Sequence, residues 1–219
     1  VLAAVPEHEW LIRSLFDYDV VGFQTAADAG NFLRYVQDQA GGTVAKDGRV
    51  TAFGRTIIVR DFPIGIDVDA FSEMAHTAEA EEQIQRLAQR NFGRHQIMGV
   101  DRLDYTKGLP DRLRAFRRML ELHPQNKKRV TFMQIAPPTR EEVVAYTDIR
   151  EELERLSGAI NGEFSELDWT PVRYIHRNVP RNTLAALFRG SKVGLVTPLR
   201  DGMNLVAKEY IAAQDDDDP

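Results

Sequence analysis

The sequence predicts an α/β protein built from parallel βαβ units. Two observations carry this. Short apolar runs that read as strands alternate with amphipathic segments of ten or more residues, the spacing that parallel strands need for their crossovers. The loops that follow those runs are rich in glycine and charge. In an open parallel sheet, such loops face the crevice at the carboxyl ends of the strands, where ligands bind.

Taken in order, Glu7 to Phe16 reads as a short helix and Asp19 to Phe23 as a strand. Thr25 is placed to cap a helix reaching Gln39, with Phe32, Leu33 and Val36 on one face. Gly41-Gly42 ends it. A polar, hairpin-like stretch with Asp47-Gly48 follows, then a strand from Arg55 to Arg60 and a turn from Pro63 to Asp67. Residues 69 to 91 read as helical and strongly charged. A second alternation begins at Gln96–Val100. Its helix runs from Pro110 to Leu122, with Leu113, Phe116, Met119 and Leu120 inward. The next strand is Val130–Ala136, broken by Pro137-Pro138. Thr139-Arg-Glu-Glu142 has the form of a capping box for a helix to Leu156. Strand 172–175, helix 181–188, strand 193–197 and helix 204–214 complete the pattern. The weakly apolar stretch before residue 92 is the expected junction, giving domains 1–92 and 93–219.

Composition excludes several classes. Hydrophobic content of 43% and a formal charge of −5 suit a globular protein and argue against a general nucleic-acid-binding surface. No stretch has the length of a membrane span. With no cysteine, disulfides, thiolate metal sites and a cysteine nucleophile are excluded, which fits a reducing cytosol. The five histidines lack metal-ligand spacing, so no metal and no cofactor are expected. The G-x-S-x-G, G-x-x-x-x-G-K-[ST] and G-x-G-x-x-G patterns do not occur.

Two loops concentrate the chemistry. Gly99-Val-Asp-Arg-Leu-Asp-Tyr-Thr-Lys-Gly108 sets Arg102 and Lys107 five residues apart after a strand, cations suited to a diphosphate or another multiply charged anion. The alternative is a surface loop whose cations pair with Asp101 and Asp104. In Thr197-Pro-Leu-Arg-Asp-Gly-Met-Asn-Leu-Val-Ala-Lys-Glu209, Gly202 allows close backbone approach and the amides of a helix start suit an anion. Asp201 is placed to accept from sugar hydroxyls and Glu209 from a ribose diol. Equally, Asp201 reads as a helix cap and Glu209 as a partner of Lys208 or Arg200. Arg140, in the first turn of its helix, opposes the helix dipole and hints at a phosphate. Gln24 stands at another crevice-facing strand end, where a turn hydrogen bond is the simpler role.

Read together, Asp19-Val-Val-Gly-Phe-Gln-Thr25, Phe62-Pro-Ile-Gly-Ile-Asp67, the 99–110 loop, Gln134-Ile-Ala-Pro137, Ile160-Asn-Gly162, Asp168-Trp-Thr-Pro171 and the 193–210 segment resemble the α,α-trehalose-phosphate synthase family of retaining glycosyltransferases, in family order over nearly the whole chain. The resemblance implies a glycosyltransferase B fold of two Rossmann-like domains, both incomplete here. Residues 1–92 would be the end of the acceptor-side domain and 93–219 the start of the nucleotide-sugar domain. It implies transfer of glucose from UDP-glucose to glucose 6-phosphate with retention, giving α,α-trehalose 6-phosphate and UDP, the leaving phosphate helping to deprotonate the acceptor.

By the same resemblance, Arg102, Lys107 and Asp201 carry the catalytic roles. The donor is held by Arg102, Lys107, Val179, Asp201, Gly202, Met203, Asn204, Leu205, Val206 and Glu209. Val179 would read uracil through its backbone, Asp201 would bind glucose hydroxyls and Glu209 the ribose. Gln24 and Arg140 would contact glucose 6-phosphate. A cytoplasmic enzyme without nucleic-acid or membrane partners is expected, with homo-oligomerisation left open. The chain starts at Val1 and stops at Pro219 after an acidic run, and is expected to be an internal stretch of a synthase, inactive alone. Two other readings stand beside this one. They are a pseudo-glycosyltransferase acting on cyclitol phosphates and a non-catalytic, regulatory sugar-nucleotide-binding module.

Overall fold

The computed structural model describes residues 2–138 and 144–215. Arg140 and the Thr139–Glu142 capping box lie outside the described residues. The chain is α/β and carries two four-stranded sheets, one in each of two compact units, Val1–Gly65 and Ile66–Pro219.

In the first unit, α1 (His8–Leu15) leads to β1 (Val20–Phe23) and α2 (Ala26–Gln39). The Thr25 hydroxyl accepts from the Asp28 amide at 3.1 Å, capping α2. β2 (Thr43–Val44), β3 (Arg49–Ala52) and β4 (Arg55–Asp61) follow. The sheet order is β1-β4-β3-β2. β1 and β4 are parallel, and the hairpin strands are antiparallel to their neighbours. The core gathers Ile12 of α1 and Phe16 just after it, Phe32 and Val36 of α2, and Val21, Val50, Ile57 and Val59 of the sheet. Alternation along β3 and β4 sends every second side chain into it.

The second unit contains α3 (Val68–Ala75), α4 (Ala78–Asn91), β5 (His95–Val100), α5 (Leu109–Leu122), β6 (Val130–Ile135), α6 (Val144–Phe164), β7 (Val172–Ile175), α7 (Arg181–Arg189), β8 (Val193–Gly194) and α8 (Leu205–Ala212). Its sheet is wholly parallel, in the order β7-β6-β5-β8. Helices cover both faces, so β5 and β6 are buried on both sides, as parallel strands require. One face packs Phe132 and Val172 against Leu109, Leu113 and Phe116 of α5 and Leu153 and Ile160 of α6. The other packs Met98, Val100, Met133 and Ile135 against Phe71 of α3 and Phe188 of α7.

The compact units therefore divide at Gly65, earlier than the expected junction after residue 92. Charged α3 and α4 still present one apolar stripe, and Phe71, Ala75 and Leu87 bury it in the second unit's core. Three element expectations also change. Residues 69–91 form two helices rather than one, because Thr77 caps α4 by accepting from the Ala80 amide at 3.1 Å. α6 runs past Leu156 to Phe164, since Ile160 and Phe164 continue its buried face. β8 holds a ladder only at Val193 and Gly194, where β5 is its single partner.

Candidate functional site

The order β7-β6-β5-β8 contains a topological switch. From β5 the chain crosses to β6 and β7 on one side, then returns to place β8 on the other. The crevice outside the carboxyl ends of strands at such a point is where α/β folds bind ligands. The two loops singled out in the sequence leave the carboxyl ends of β5 and β8, so they flank this switch.

The loops are tied together. Thr106 O accepts the Leu199 and Arg200 amides at 2.9 and 3.1 Å. Gly108 has φ +61°, and a Cβ there would stand 2.9 Å from Leu199 Cγ, so both its backbone and its contact require glycine. Lys107 Nζ then meets Asp201 Oδ2 at 2.5 Å, with side chains only 14% and 19% exposed. Asn204 donates to the same oxygen at 3.0 Å, while its own Oδ1 accepts from the Ala207 amide at 3.0 Å and caps α8. One asparagine thus starts the helix and aims the carboxylate. Burial pushes the Asp201 carboxyl up, but the Lys107 and Asn204 hydrogen bonds outweigh it and hold the group below its ordinary range.

Arg102 is exposed on the β5 loop. Gly202, Met203, Asn204, Leu205 and Val206 carry the chain into the first turn of α8. Glu209, one turn further, approaches Arg181 of α7 at 3.5 Å. Burial raises its carboxyl above the usual range, against the Arg181 charge. Val179 sits between β7 and α7, packed with Val206 and Leu184 against the second core cluster. These residues therefore share one end of one sheet. Gln24 belongs to the first unit, where it follows β1, and its buried Nε2 has no hydrogen-bond partner among the described residues. The role of Arg140 lies outside the described residues.

Among the described residues neither Asp101 nor Asp104 forms a salt bridge with Arg102 or Lys107, although the charges of both cations help hold the Asp104 carboxyl below its ordinary range. Asp101 does not face them but turns inward. Asp104 accepts from the Thr106 amide and hydroxyl, each at 2.8 Å, to start the short 3-10 turn Tyr105–Lys107. Nor is Asp201 the cap of α8, since Asn204 is.

Sequence reasoning missed Arg112. It lies on the core-facing stripe of α5 with Leu109, Leu113 and Phe116. Its Nη1 donates to Asp101 Oδ2 at 2.7 Å and Gln134 Oε1 at 3.0 Å, and its Nε to Thr197 Oγ1 at 2.9 Å. Both members of the Asp101–Arg112 pair are buried, with side chains 2% and 1% exposed. A Cβ on Gly99 would fall 2.6 Å from Gln134 Oε1 and 2.8 Å from Arg112 Nη1, so this glycine admits the network. Burial pushes the Asp101 carboxyl up, against the pull of Arg112. Through Asp101 and Thr197, one guanidinium fixes the roots of both loops. The available signal was an arginine where the helical period calls for an apolar residue. Among the described residues, no group of three or more His, Asp or Glu side chains is arranged to hold a metal ion. No helix there is long and apolar enough to cross a membrane.

Residues 1–219 match glycosyltransferase family 20. The chain is 46% identical over 219 residues to the trehalose-6-phosphate synthase of Sinorhizobium fredii, covering all of this chain and 47% of that one. An α,α-trehalose-phosphate synthase (UDP-forming) from Burkholderia xenovorans, solved in complex with glucose-6-phosphate, is 50% identical with a TM-score of 0.93, over 98% of this chain and 48% of that one. A structure from E. coli bound with UDP-2-fluoro glucose is 41% identical with a TM-score of 0.93, over 98% and 48%. The chain thus spans about half the length of the relatives it matches. With the match running from the first residue to the last, the chain belongs to glycosyltransferase family 20.

Proposed function

We propose that this chain is the donor-binding part, with some of the acceptor side, of a retaining glucosyltransferase that moves glucose from UDP-glucose to glucose 6-phosphate, giving α,α-trehalose 6-phosphate and UDP. The first compact unit would be the end of the acceptor-side Rossmann-like domain. The second would be the start of the donor-side domain in a glycosyltransferase B fold. The observation that carries the reading is the meeting of Lys107 with Asp201, 94 residues apart in sequence, at the switch point.

A departing UDP develops negative charge on its diphosphate. Fixed cations stabilise that charge most where they need not reorganise. The Asp201 carboxylate and the ties to Thr106 hold Lys107 in such a place, with exposed Arg102 on the same loop. Asp201 would then accept from glucose hydroxyls. The free amides at the start of α8, from Gly202 to Val206, suit the donor phosphates. Glu209 would take the ribose diol, and the backbone at Val179 the base. Gln24 supports an acceptor role through its buried, unpartnered amide nitrogen, a donor in search of an oxygen. Arg140 would meet the acceptor phosphate. A cytoplasmic setting fits a chain without cysteine.

The test is UDP release in the presence of glucose 6-phosphate, using a family-length protein that bears this sequence. Release must require both substrates and must collapse in Lys107→Ala. Release that ignores glucose 6-phosphate, or survives the substitution, would sink the proposal.

A further inference from the structure

A second group of cations lies at the other end of the same sheet. The amino ends of β5, β6 and β7 surround a cavity of about 590 Å³ whose lining includes Arg90, Asn91, Arg94, Thr131, Asp168 and Arg173. β5 has six residues at roughly 3.3 Å each, so the cavity is about 20 Å from the switch-point loops. Three guanidinium groups face one carboxylate, which leaves two positive charges.

The carboxylate is already committed. Arg94 Nη2 holds Asp168 Oδ2 at 2.5 Å, and its other nitrogens donate to Lys128 O at 3.0 Å and Asp168 O at 2.9 Å. Arg90 and Arg173 have no carboxylate partner among the described residues. Burial, and the charges of Arg90 and Arg94, hold the Arg173 guanidinium below its ordinary range. A neutral wall would avoid this arrangement at no structural cost, because Arg90 is exposed and Arg173 anchors no other side chain.

Asn91 closes the inner wall of the cavity, 4% exposed, with its Nδ2 donating to Gln96 Oε1 at 3.2 Å.

We propose that this cavity is a phosphate site. Its occupant is a phosphate group of charge near −2, held by Arg90 and Arg173. Sulfate has the same shape and charge. The site lies outside the donor loops and does not depend on the glucosyltransferase reading.

The test is calorimetric titration at constant ionic strength in a Lys107→Gln background, so that the switch-point loop contributes little. Inorganic phosphate is the probe, with glycerol phosphate and sulfate as the other arms. Arg173→Gln should weaken phosphate binding about tenfold, the loss of one charge-assisted hydrogen bond or more. Arg90→Gln, exposed and harmless to folding, should weaken it about threefold. Sulfate should compete with phosphate for the cavity. Tighter binding of glycerol phosphate would assign the site to a phosphomonoester, and tighter binding of inorganic phosphate to the free ion; either upholds it. No phosphate binding, or binding unchanged in both arginine variants, would overturn the proposal. Should Arg173→Gln not fold, unchanged binding in Arg90→Gln alone overturns it.

Discussion

The two ends of the β7-β6-β5-β8 sheet treat their charges in opposite ways. At the carboxyl ends, Lys107 and Arg112 are paired with Asp201 and Asp101 at 2.5 and 2.7 Å, and each pair is braced by further hydrogen bonds. At the amino ends, Arg90 and Arg173 line a cavity whose one carboxylate belongs to Arg94. The first arrangement sets geometry before any ligand arrives. The second holds a surplus of positive charge around one cavity. Within one sheet, pairing marks groups that must be aimed, and lack of pairing marks groups that must attract.

The largest effect should come from breaking the deepest pair. Arg112→Ala leaves Asp101 charged and buried, and should cost about 3–5 kcal/mol of unfolding free energy in denaturant titration. Replacing both, as Arg112→Met with Asp101→Leu, should recover most of it. A double variant as weak as the single one would show that the loops need the ion pair itself rather than a filled core.

Next comes chemistry. Lys107→Ala should lower kcat/KM for UDP-glucose by about 10²–10³ in the family-length protein, the magnitude of one lost charge-stabilising donor. A change below about threefold in kcat/KM would mean that the Lys107–Asp201 pair is structural only.

A smaller effect separates the pair by pH. The Asp201 carboxyl is held below its ordinary value in the folded chain. Its contribution is therefore present above the ordinary carboxylate pKa and is lost as pH falls through the depressed folded value. The stability deficit of Asp201→Asn relative to the parent should shrink as pH is lowered across that window. A deficit independent of pH would show that the carboxylate charge does nothing for folding.

The smallest effect runs the other way. Without added phosphate, Arg173→Gln should be neutral or stabilising by about 0.5 kcal/mol, because it relieves repulsion from Arg90 and Arg94. A clear loss of stability would show that Arg173 has a structural partner, and would dissolve the contrast between the two ends.

Local pattern made much of this legible. Thr25 and the Asn204 segment mark helix starts by side-chain chemistry that acts over three residues, and both helices begin there. The 99–108 loop stood out for its glycines and two cations after a strand end, but those residues alone also fit a surface loop, and it was the resemblance over the whole chain that favoured an anion site. Arg112 was invisible as a site residue, since its partners Asp101, Gln134 and Thr197 lie 11, 22 and 85 residues away in the chain. The packing of α3 and α4 into the second unit's core was hidden for a related reason. Charge dominated the composition of α3 and α4, while a few apolar side chains decided where they pack.

The sequence by itself determined the α/β class, the order of the strands along the chain, the capping of α2 by Thr25 and the identity of the cations and carboxylates. Those follow from interactions between near neighbours. Only the tertiary structure decided that β8 lies against β5 and not β7. Strand order is a choice among crossovers whose energies depend on packing both sheet faces at once, so no local period records it. That choice brings Lys107 to Asp201 and leaves three arginines around one cavity at the far end.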